Sequence, residues 1–168
     1  MLLLFRLSLA SCRRRDNNFD LWEEINAQHF FTRMVQRRAL LEGADFAAKL
    51  GDKGAADFYR TQANQLTNVL EQHWDGNQRY IREMVATPNW YDRAGKNIAT
   101  VLAVIHGYNG DGFYSPVNDR VLSTVVKLRE DFDEIYKVNQ VMRDSEDLPL
   151  GAAFGRYKGT PFSLVDCI

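Results

Sequence analysis

The apolar residues of this chain recur mainly at helical spacing. Between His29 and Leu50 they fall three and four positions apart, which predicts one face of a helix. They are Phe30, Phe31, Met34, Val35, Leu40, Leu41, Ala44, Ala47 and Ala48. Gly51 ends this predicted helix, and Asp52 is placed to cap a second helix from about Lys53 to Trp74. Because the connection is so short, the two helices are predicted to form an antiparallel hairpin.

Two further helices are predicted in the second half of the chain. A short one spans Asn97 to His106. A longer one begins at Ser115-Pro116, where a capping hydroxyl precedes a proline, and continues to about Tyr136. Asp147 to Gly159 contains helix breakers and is predicted to be a loop. Since no strong pair of strands is visible, we predict a mainly α chain with long loops.

Composition narrows the classes of function. The 168 residues are 45% hydrophobic and 26% charged, with a net charge of −1, which indicates one ordinary globular domain. A nearly neutral chain has no electrostatic attraction for nucleic acid or an acidic membrane surface. No stretch approaches the roughly 20 apolar residues that a membrane span requires. The two cysteines, Cys12 and Cys167, are too few for a disulfide-stapled miniprotein or a four-cysteine zinc module.

The first residues are set apart from the domain. The apolar run MLLLFRLSLA is followed by three arginines at positions 13 to 15. A secretory signal carries its positive charge before the apolar stretch, so this order does not make a convincing export signal. A leader and a ragged chain start both fit the pattern. We therefore place residues 1–15 outside the fold and assign residues 16–168 to the domain.

The densest group of reactive side chains precedes the first predicted helix. Asp20, Trp22, Glu23 and Glu24 lie within five residues. One interpretation is a helix N-terminus, where acidic residues complement the macrodipole and the tryptophan anchors the core. The other is a sugar site, because neighbouring carboxylates and an apolar ring favour the protonated form of one carboxyl group. Such a carboxyl can protonate a glycosidic oxygen, while the ring stacks on a pyranose.

The stretch FDLWEEINAQHFFTRMVQRRALLEGADFAAKLG, residues 19–51, resembles the signature region of the glucoamylases, glycoside hydrolase family fifteen. Other blocks resemble this family in the same order: Lys96–Leu102 with Ile105-His106, the region from Ser115-Pro116 to Asn139, and Gly155-Arg156-Tyr157. The resemblance implies an (α/α)₆ toroid of six helical hairpins. It also implies hydrolysis, with inversion, of terminal α-1,4-linked glucose, and more slowly α-1,6-linked glucose, from non-reducing ends of starch-like glucans.

The resemblance also implies a role for each matching residue. Glu23 matches the general acid, and Asp20 matches a flanking residue with a proton-accepting role. Trp22, Glu24 and Arg156 match residues that bind the sugar. No metal or organic cofactor is implied, because the reaction consists of proton transfer and attack by water. The implied partner is an α-glucan or maltooligosaccharide, and secretion is the family expectation.

The chain, with 168 residues, is too short to supply the whole fold of the family. At about 20 residues per long helix, it supplies about five or six of the twelve helices of the toroid. The family's catalytic base lies beyond Ile168, and Asp144, Glu146 and Asp147 are interpreted as solvated loop charges. We therefore expect a partial catalytic domain that is weakly active or inactive alone. The alternative is a non-catalytic helical remnant that binds sugar, or associates with a complementary chain or itself through exposed apolar helix faces.

Overall fold

The computed structural model describes residues 17–85, 95–144 and 151–158, with only the backbone of 142–144. Its α-helices are α1 (Phe30–Lys49), α2 (Lys53–Leu70), α3 (Ala99–Gly107), α4 (Asp119–Ile135) and α5 (Lys137–Asp144). A 3₁₀ turn, Glu71–His73, extends α2. The strands of these residues are β1 (Asn18–Phe19), β2 (Asn26–His29), β3 (Trp74–Asp75), β4 (Tyr80–Ile81) and β5 (Met84–Val85). The prediction of a mainly α chain is confirmed. Residues 1–15, which the sequence places outside the domain, lie outside the described ranges.

The predicted hairpin of the first two helices is confirmed as α1 and α2. Gly51 has a φ of +80°, in the region that glycine enters without strain. The Asp52 side chain accepts a hydrogen bond of 2.9 Å from the amide of Ala55 and caps α2. Small residues and Tyr59 fill the contact between the two helices. The second helix ends earlier than predicted, at Leu70, because the chain turns into strand β3.

A second apolar cluster joins both halves of the described chain. It contains Phe30, Met34, Leu70, Ile81, Ala103, Val104, Tyr114 and Val121. Helix α3 approaches α1 closely at Gly107, where an added Cβ would lie 2.7 Å from the Cβ of Met34. The small residue at this crossing therefore sets the distance between the two helices.

Five short strands accompany the helices in the described ranges. Strands β1, β2 and β5 form an antiparallel sheet, with Phe19 opposite Asn26 and Gln28 opposite Val85. Strands β3 and β4 form a separate hairpin. The sequence shows no strong pair of strands, because segments of two to four residues are too short to show an alternating pattern. The pairing of β1 with β2 closes the segment between them into a loop.

The predicted long helix of the second half begins later in the structure, and a further helix follows it. Ser115 and Pro116 lie before it, and the Ser115 carbonyl accepts a hydrogen bond of 2.9 Å from the amide of Asn118. Asn118 caps α4 instead, accepting 3.0 Å from the amide of Arg120. Tyr136 is extended and separates α4 from α5, a helix that was not predicted.

The loop predicted at Asp147 to Gly159 is seen in part. Residues 151–158 form neither helix nor strand, and the rest of the predicted loop lies outside the described ranges.

Among the helices of the described ranges, none combines the length and the apolar character that crossing a bilayer requires.

Candidate functional site

The acidic cluster lies on the loop between β1 and β2, residues 20–25, which we call the acidic loop. The amide of Asp20 donates to the carbonyl of Ile25, and the amide of Glu23 donates to the carbonyl of Asp20, both at 3.0 Å. These bonds make a tight turn at the end of a strand pair. The interpretation of this cluster as a helix N-terminus is therefore wrong, since α1 begins only at Phe30.

Asp20 lies inside the acidic loop. Its side chain is buried, and its Oδ1 accepts hydrogen bonds of 2.6 Å from the amide of Glu24 and 3.0 Å from the amide of Ile25. A carboxylate that accepts from backbone amides makes strong, charge-assisted bonds. Asp20 thus stabilises the conformation of the loop that carries its neighbours. Its proton-accepting role stays a prediction.

Glu23 lies at the exposed tip of the same loop. Its φ is +59°, the left-handed region that only a few per cent of non-glycine residues enter. This conformation costs roughly 1–2 kcal/mol for an L-residue. The Asp20 contacts and the strand pair maintain it, and the Glu23 side chain remains accessible to solvent. A buried position would have contradicted the predicted role as a proton donor, and the observed exposure is compatible with it.

Trp22 is half-buried beside this tip. Its indole N–H donates to Oδ1 of Asn97 at 3.1 Å, and the same oxygen accepts 2.9 Å from the amide of Ala99 at the start of α3. The guanidinium carbon of Arg156 lies 5.3 Å from the centre of the indole, within the range of a cation–π contact. The ring is therefore fixed at its polar edge and has a cation on its face.

Glu24 links the acidic loop to the far end of the described chain. Its Oε1 accepts 2.8 Å from Nη1 of Arg156, and its Oε2 accepts 2.7 Å from the hydroxyl of Tyr157. The Arg156 side chain is 41% exposed and that of Glu24 is 29% exposed, so both can still reach a ligand from solution. The structure thus brings Trp22, Glu23, Glu24 and Arg156 together at one surface.

The segment that carries Arg156 is fixed from three sides. Buried Asn139 of α5 bonds both backbone groups of Ala153, accepting 2.7 Å from its amide and donating 3.0 Å to its carbonyl. The Arg156 carbonyl accepts 2.9 Å from the amide of Ile98. At Gly155 an added Cβ would lie 2.6 Å from the hydroxyl oxygen of Tyr136, so a larger residue would require that side chain to shift. These contacts hold Arg156 against the acidic loop.

The sequence model described as "Glycosyl hydrolases family 15" matches residues 14–161. The chain belongs to glycosyl hydrolase family 15. The resemblance that the sequence motifs indicated is thereby confirmed. The five site residues were named from that resemblance, and their individual roles stay predictions.

Named relatives in family 15 agree with this assignment. The chain is 41% identical over 140 residues to the glucoamylase of Blastobotrys adeninivorans, covering 83% of this chain and 22% of that protein. It is 36% identical over 141 residues to glucoamylase 1 of Rhizopus oryzae, again covering 83% of this chain and 22% of the relative. The chain thus spans less than a quarter of the length of these relatives.

Solved family 15 structures share the fold. The glucoamylase of Hypocrea jecorina superposes with a TM-score of 0.71 at 35% identity, covering 87% of this chain and 24% of that one. The glucoamylase of Saccharomycopsis fibuligera gives a TM-score of 0.72 at 29% identity, covering 84% and 29%. The prediction of part of an (α/α)₆ toroid is confirmed.

Sequence reasoning missed several residues that shape this family 15 site. Asn97 and Tyr157 lay inside the blocks that carried the resemblance, but their contacts with Trp22 and Glu24 were not assigned. The buried pair of His29 and Glu83, directly behind the acidic loop, had no sequence signal because 54 residues separate its members. In the described ranges, no three His, Cys, Asp or Glu side chains are grouped to hold a metal ion.

Proposed function

We propose that this chain supplies the general-acid side of a glycosidase active site. The reaction is hydrolysis, with inversion, of terminal α-1,4-linked glucose, and more slowly α-1,6-linked glucose, from non-reducing ends of starch-like glucans. One observation carries the proposal: in a family 15 chain, exposed Glu23 lies next to Trp22, whose ring has Arg156 on its face. A proton donor, an apolar ring and a donor of several hydrogen bonds together suit a sugar at its glycosidic bond.

Each side chain then has a chemical task. The Glu23 carboxyl donates its proton to the glycosidic oxygen as that bond breaks. Trp22 offers a flat apolar surface to the sugar ring, and Arg156 offers N–H groups in a fixed planar arrangement to its hydroxyls. Glu24 binds the sugar together with Arg156, whose orientation it sets through their 2.8 Å contact. Asp20 stabilises the loop and is the predicted proton acceptor.

An inverting glycosidase needs a second carboxylate, about 6.5–9.5 Å from the acid, to activate the attacking water. We assign none of the described carboxylates to the activation of this water; the proton-accepting role that the resemblance gives Asp20 is a separate prediction. Glu146 and Asp147, and the side chain of Asp144, lie outside the described part of the chain. We therefore propose that residues 16–168 form part of a catalytic domain and that turnover by this chain alone is weak or absent.

A second function is binding of the sugar without hydrolysis. This function is favoured because the sugar-binding surface is formed within this chain alone, by Trp22, Glu24, Arg156 and Tyr157. Binding requires this surface but no base. In this alternative the chain holds a glucan end, or associates with a complementary chain.

The experiment measures binding and turnover on the same samples. Maltooligosaccharide is titrated by calorimetry, and released glucose is measured for the wild-type chain and for Glu23→Gln. Glu130→Gln, an exposed carboxyl on α4, is the matched control. Because general acid catalysis contributes about 10²–10⁴-fold, Glu23→Gln is expected to abolish any glucose release that the wild-type chain shows, while binding changes only a few-fold. The control is expected to match the wild type in both.

The outcomes separate the two functions. Glucose release that survives Glu23→Gln would contradict the assignment of the acid. Weak release that Glu23→Gln abolishes supports the first function. Binding with no release from the wild-type chain, lost on Trp22→Ala or Arg156→Ala, supports the second function. A chain that is folded by circular dichroism but binds no maltooligosaccharide contradicts both.

A further inference from the structure

A fully buried pair lies behind the acidic loop. His29 is the last residue of β2, and its Nδ1 lies 2.8 Å from Oε1 of Glu83, just before β5. Its other ring nitrogen, Nε2, lies 3.0 Å from the carbonyl oxygen of Ile25. That oxygen also accepts the amide of Asp20, and the Ile25 amide donates to Oδ1 of Asp20. The pair therefore contacts the same peptide groups that close the loop.

The Ile25 carbonyl and the Glu83 carboxyl determine which nitrogens of the His29 ring carry a proton. A carbonyl oxygen only accepts hydrogen bonds, so Nε2 of His29 must carry a hydrogen. The contact of Nδ1 with the Glu83 oxygen then requires one further proton, shared between ring and carboxyl. If that proton is lost, the neutral ring has a hydrogen on only one nitrogen. With the hydrogen on Nε2, the lone pair of Nδ1 faces the Glu83 carboxylate. With the hydrogen on Nδ1, the lone pair of Nε2 faces the Ile25 carbonyl. Because a charged carboxylate accepts more strongly than a carbonyl, the remaining hydrogen stays on Nδ1, and the contact with Ile25 is the one lost.

The groups around His29 act on its charge in both directions. Burial, the largest single effect, lowers its pKa, while the hydrogen bond from His29 to Glu83 and the negative charge of that carboxylate raise it, and the pKa is raised overall. The Ile25 carbonyl and the charge of Asp20 raise it further. The pair therefore keeps its shared proton to a higher pH than a free histidine would, and loses it as the pH rises further.

A second buried histidine faces His29 from the end of α2. The ring of His73 accepts 2.8 Å from Nη1 of Arg33 at Nε2 and donates 2.8 Å to the Arg82 carbonyl at Nδ1. This geometry requires a neutral ring. Burial lowers the pKa of His73 to about 3, and the charges of Arg33 and His29 lower it as well. His73 thus adds no positive charge that would expel the proton of the first pair.

We propose that His29, with its shared proton held by Glu83, is a positioning residue that anchors the acidic loop through the Ile25 carbonyl and releases it in alkaline solution. His29 holds the Ile25 peptide group, which bonds to Asp20. It therefore also fixes the position of the turn that carries Trp22, Glu23 and Glu24. The proposal rests on the proposed function only in treating this loop as the one that carries the acid.

Hydrogen exchange measured by NMR tests the anchoring directly. The readouts are the protection factors of the Glu24 and Ile25 amides, which donate to Asp20, and of the Trp22 indole N–H. Between about pH 6 and about pH 10, protection is expected to fall by about tenfold, the equilibrium effect of one lost hydrogen bond. The Ala55 amide, bonded to Asp52 at the start of α2, is the internal control and is expected to stay constant.

Two variants separate anchoring from general stability. In Glu83→Gln the new amide can donate to Nδ1 of a neutral His29, while the Nε2 hydrogen still bonds to the Ile25 carbonyl. The protection of the loop amides is then expected to be independent of pH. Adding His29→Asn gives a side chain that reaches residue 83 but not Ile25, and it leaves no buried charge unpaired. This double variant is expected to lose about tenfold in loop protection at every pH.

Several results would overturn the proposal. They are equal loop protection at both pH values in the wild type, an alkaline loss that persists in Glu83→Gln, and unchanged protection in the double variant. A maltooligosaccharide titration of the same samples separates the two proposals. Loop protection that behaves as expected in a chain that binds no sugar leaves the anchoring intact and contradicts the proposed function. If the chain binds sugar but the protection of the loop amides does not change with pH, only the anchoring proposal is contradicted.

Discussion

Asp20 illustrates how one side chain can have two separable roles. Its Oδ1 accepts the amides of Glu24 and Ile25, which is a structural task, while the resemblance assigns it a proton-accepting one. An asparagine has a carbonyl oxygen that can accept the same two amides but takes up no proton. An alanine can do neither. The two substitutions therefore distinguish the roles.

We predict that Asp20→Ala lowers the free energy of unfolding by about 1–3 kcal/mol for each buried amide left without an acceptor. Asp20→Asn is expected to lower it by only about 1 kcal/mol, since a neutral acceptor replaces a charged one. Urea unfolding measures both. Equal losses in the two variants would show that the amides do not depend on this oxygen.

The same two variants address the chemistry through sugar binding and glucose release. If Asp20 acts only on the backbone, Asp20→Asn keeps the binding and turnover of the wild type. A loss of turnover in Asp20→Asn at unchanged binding would support the proton-accepting role instead.

The resemblance named side chains that the structure brings together, but it did not give their geometry. Periodicity gives no reason for Arg156 to reach Glu24 across 132 residues, and only the resemblance connected them. The left-handed backbone of Glu23 depends on the bonds between β1 and β2 and on Asp20. These are contacts of two-residue strands, for which the sequence carries no pattern long enough to read.

At the scale of elements, helices were predicted well where their ends have local chemical signals. Gly51 and Asp52 determine the turn between α1 and α2 through their own conformation and capping bond. The start of α4 was misplaced because two capping signals, Ser115-Pro116 and Asn118, lie three residues apart. Only the tertiary structure shows that Asn118 caps the helix.

The crossing of α1 and α3 gives a prediction about packing. At Gly107 an added Cβ would lie 2.7 Å from the Cβ and 2.9 Å from the carbonyl carbon of Met34, so backbone must move to admit it. We expect Gly107→Ala to lower the free energy of unfolding by about 1–3 kcal/mol, as overpacking does. Thermal and urea unfolding measure the effect.

Gly43→Ala is the matched control within α1. Its added Cβ would lie 3.7 Å from the ring of Tyr59, an ordinary contact. Because alanine favours a helix over glycine by about 1 kcal/mol, this variant is expected to be as stable as the wild type or more stable. A Gly107→Ala chain as stable as Gly43→Ala would mean that the helices can separate at no cost.

At the scale of the whole molecule, large apolar side chains remain exposed along α4 and α5. Leu122 is 47% exposed, Val126 55% and Val141 66%. The tip of the α1–α2 hairpin adds Phe46, which is 63% exposed. Where such side chains lie side by side, they are typical of faces that contact another element or chain. Self-association through these faces stays a prediction.

The two buried histidines predict how the stability of the whole chain depends on pH. For His73 the folded pKa of about 3 lies below the unfolded value of 6.5, so between these values the unfolded chain binds a proton that the folded chain excludes. Stability therefore falls as the pH drops below about 6.5, by up to about 1.4 kcal/mol per unit. For His29 the folded pKa is raised. Its contribution is complete below the unfolded value and is lost as the pH rises through the folded one.

The free energy of unfolding in urea is thus expected to be greatest near about pH 6.5 and to fall on both sides. Measurements between about pH 5 and pH 7 isolate the acid side, since ordinary carboxyl groups are ionised there. His73→Gln removes the titrating ring, so its stability is expected to be lower overall but to lose the slope. His106→Gln, at an exposed position on α3, is the control that keeps the slope. An unchanged slope in His73→Gln would show that another group excludes the proton, and the neutral ring beside Arg33 would then have no part in acid stability.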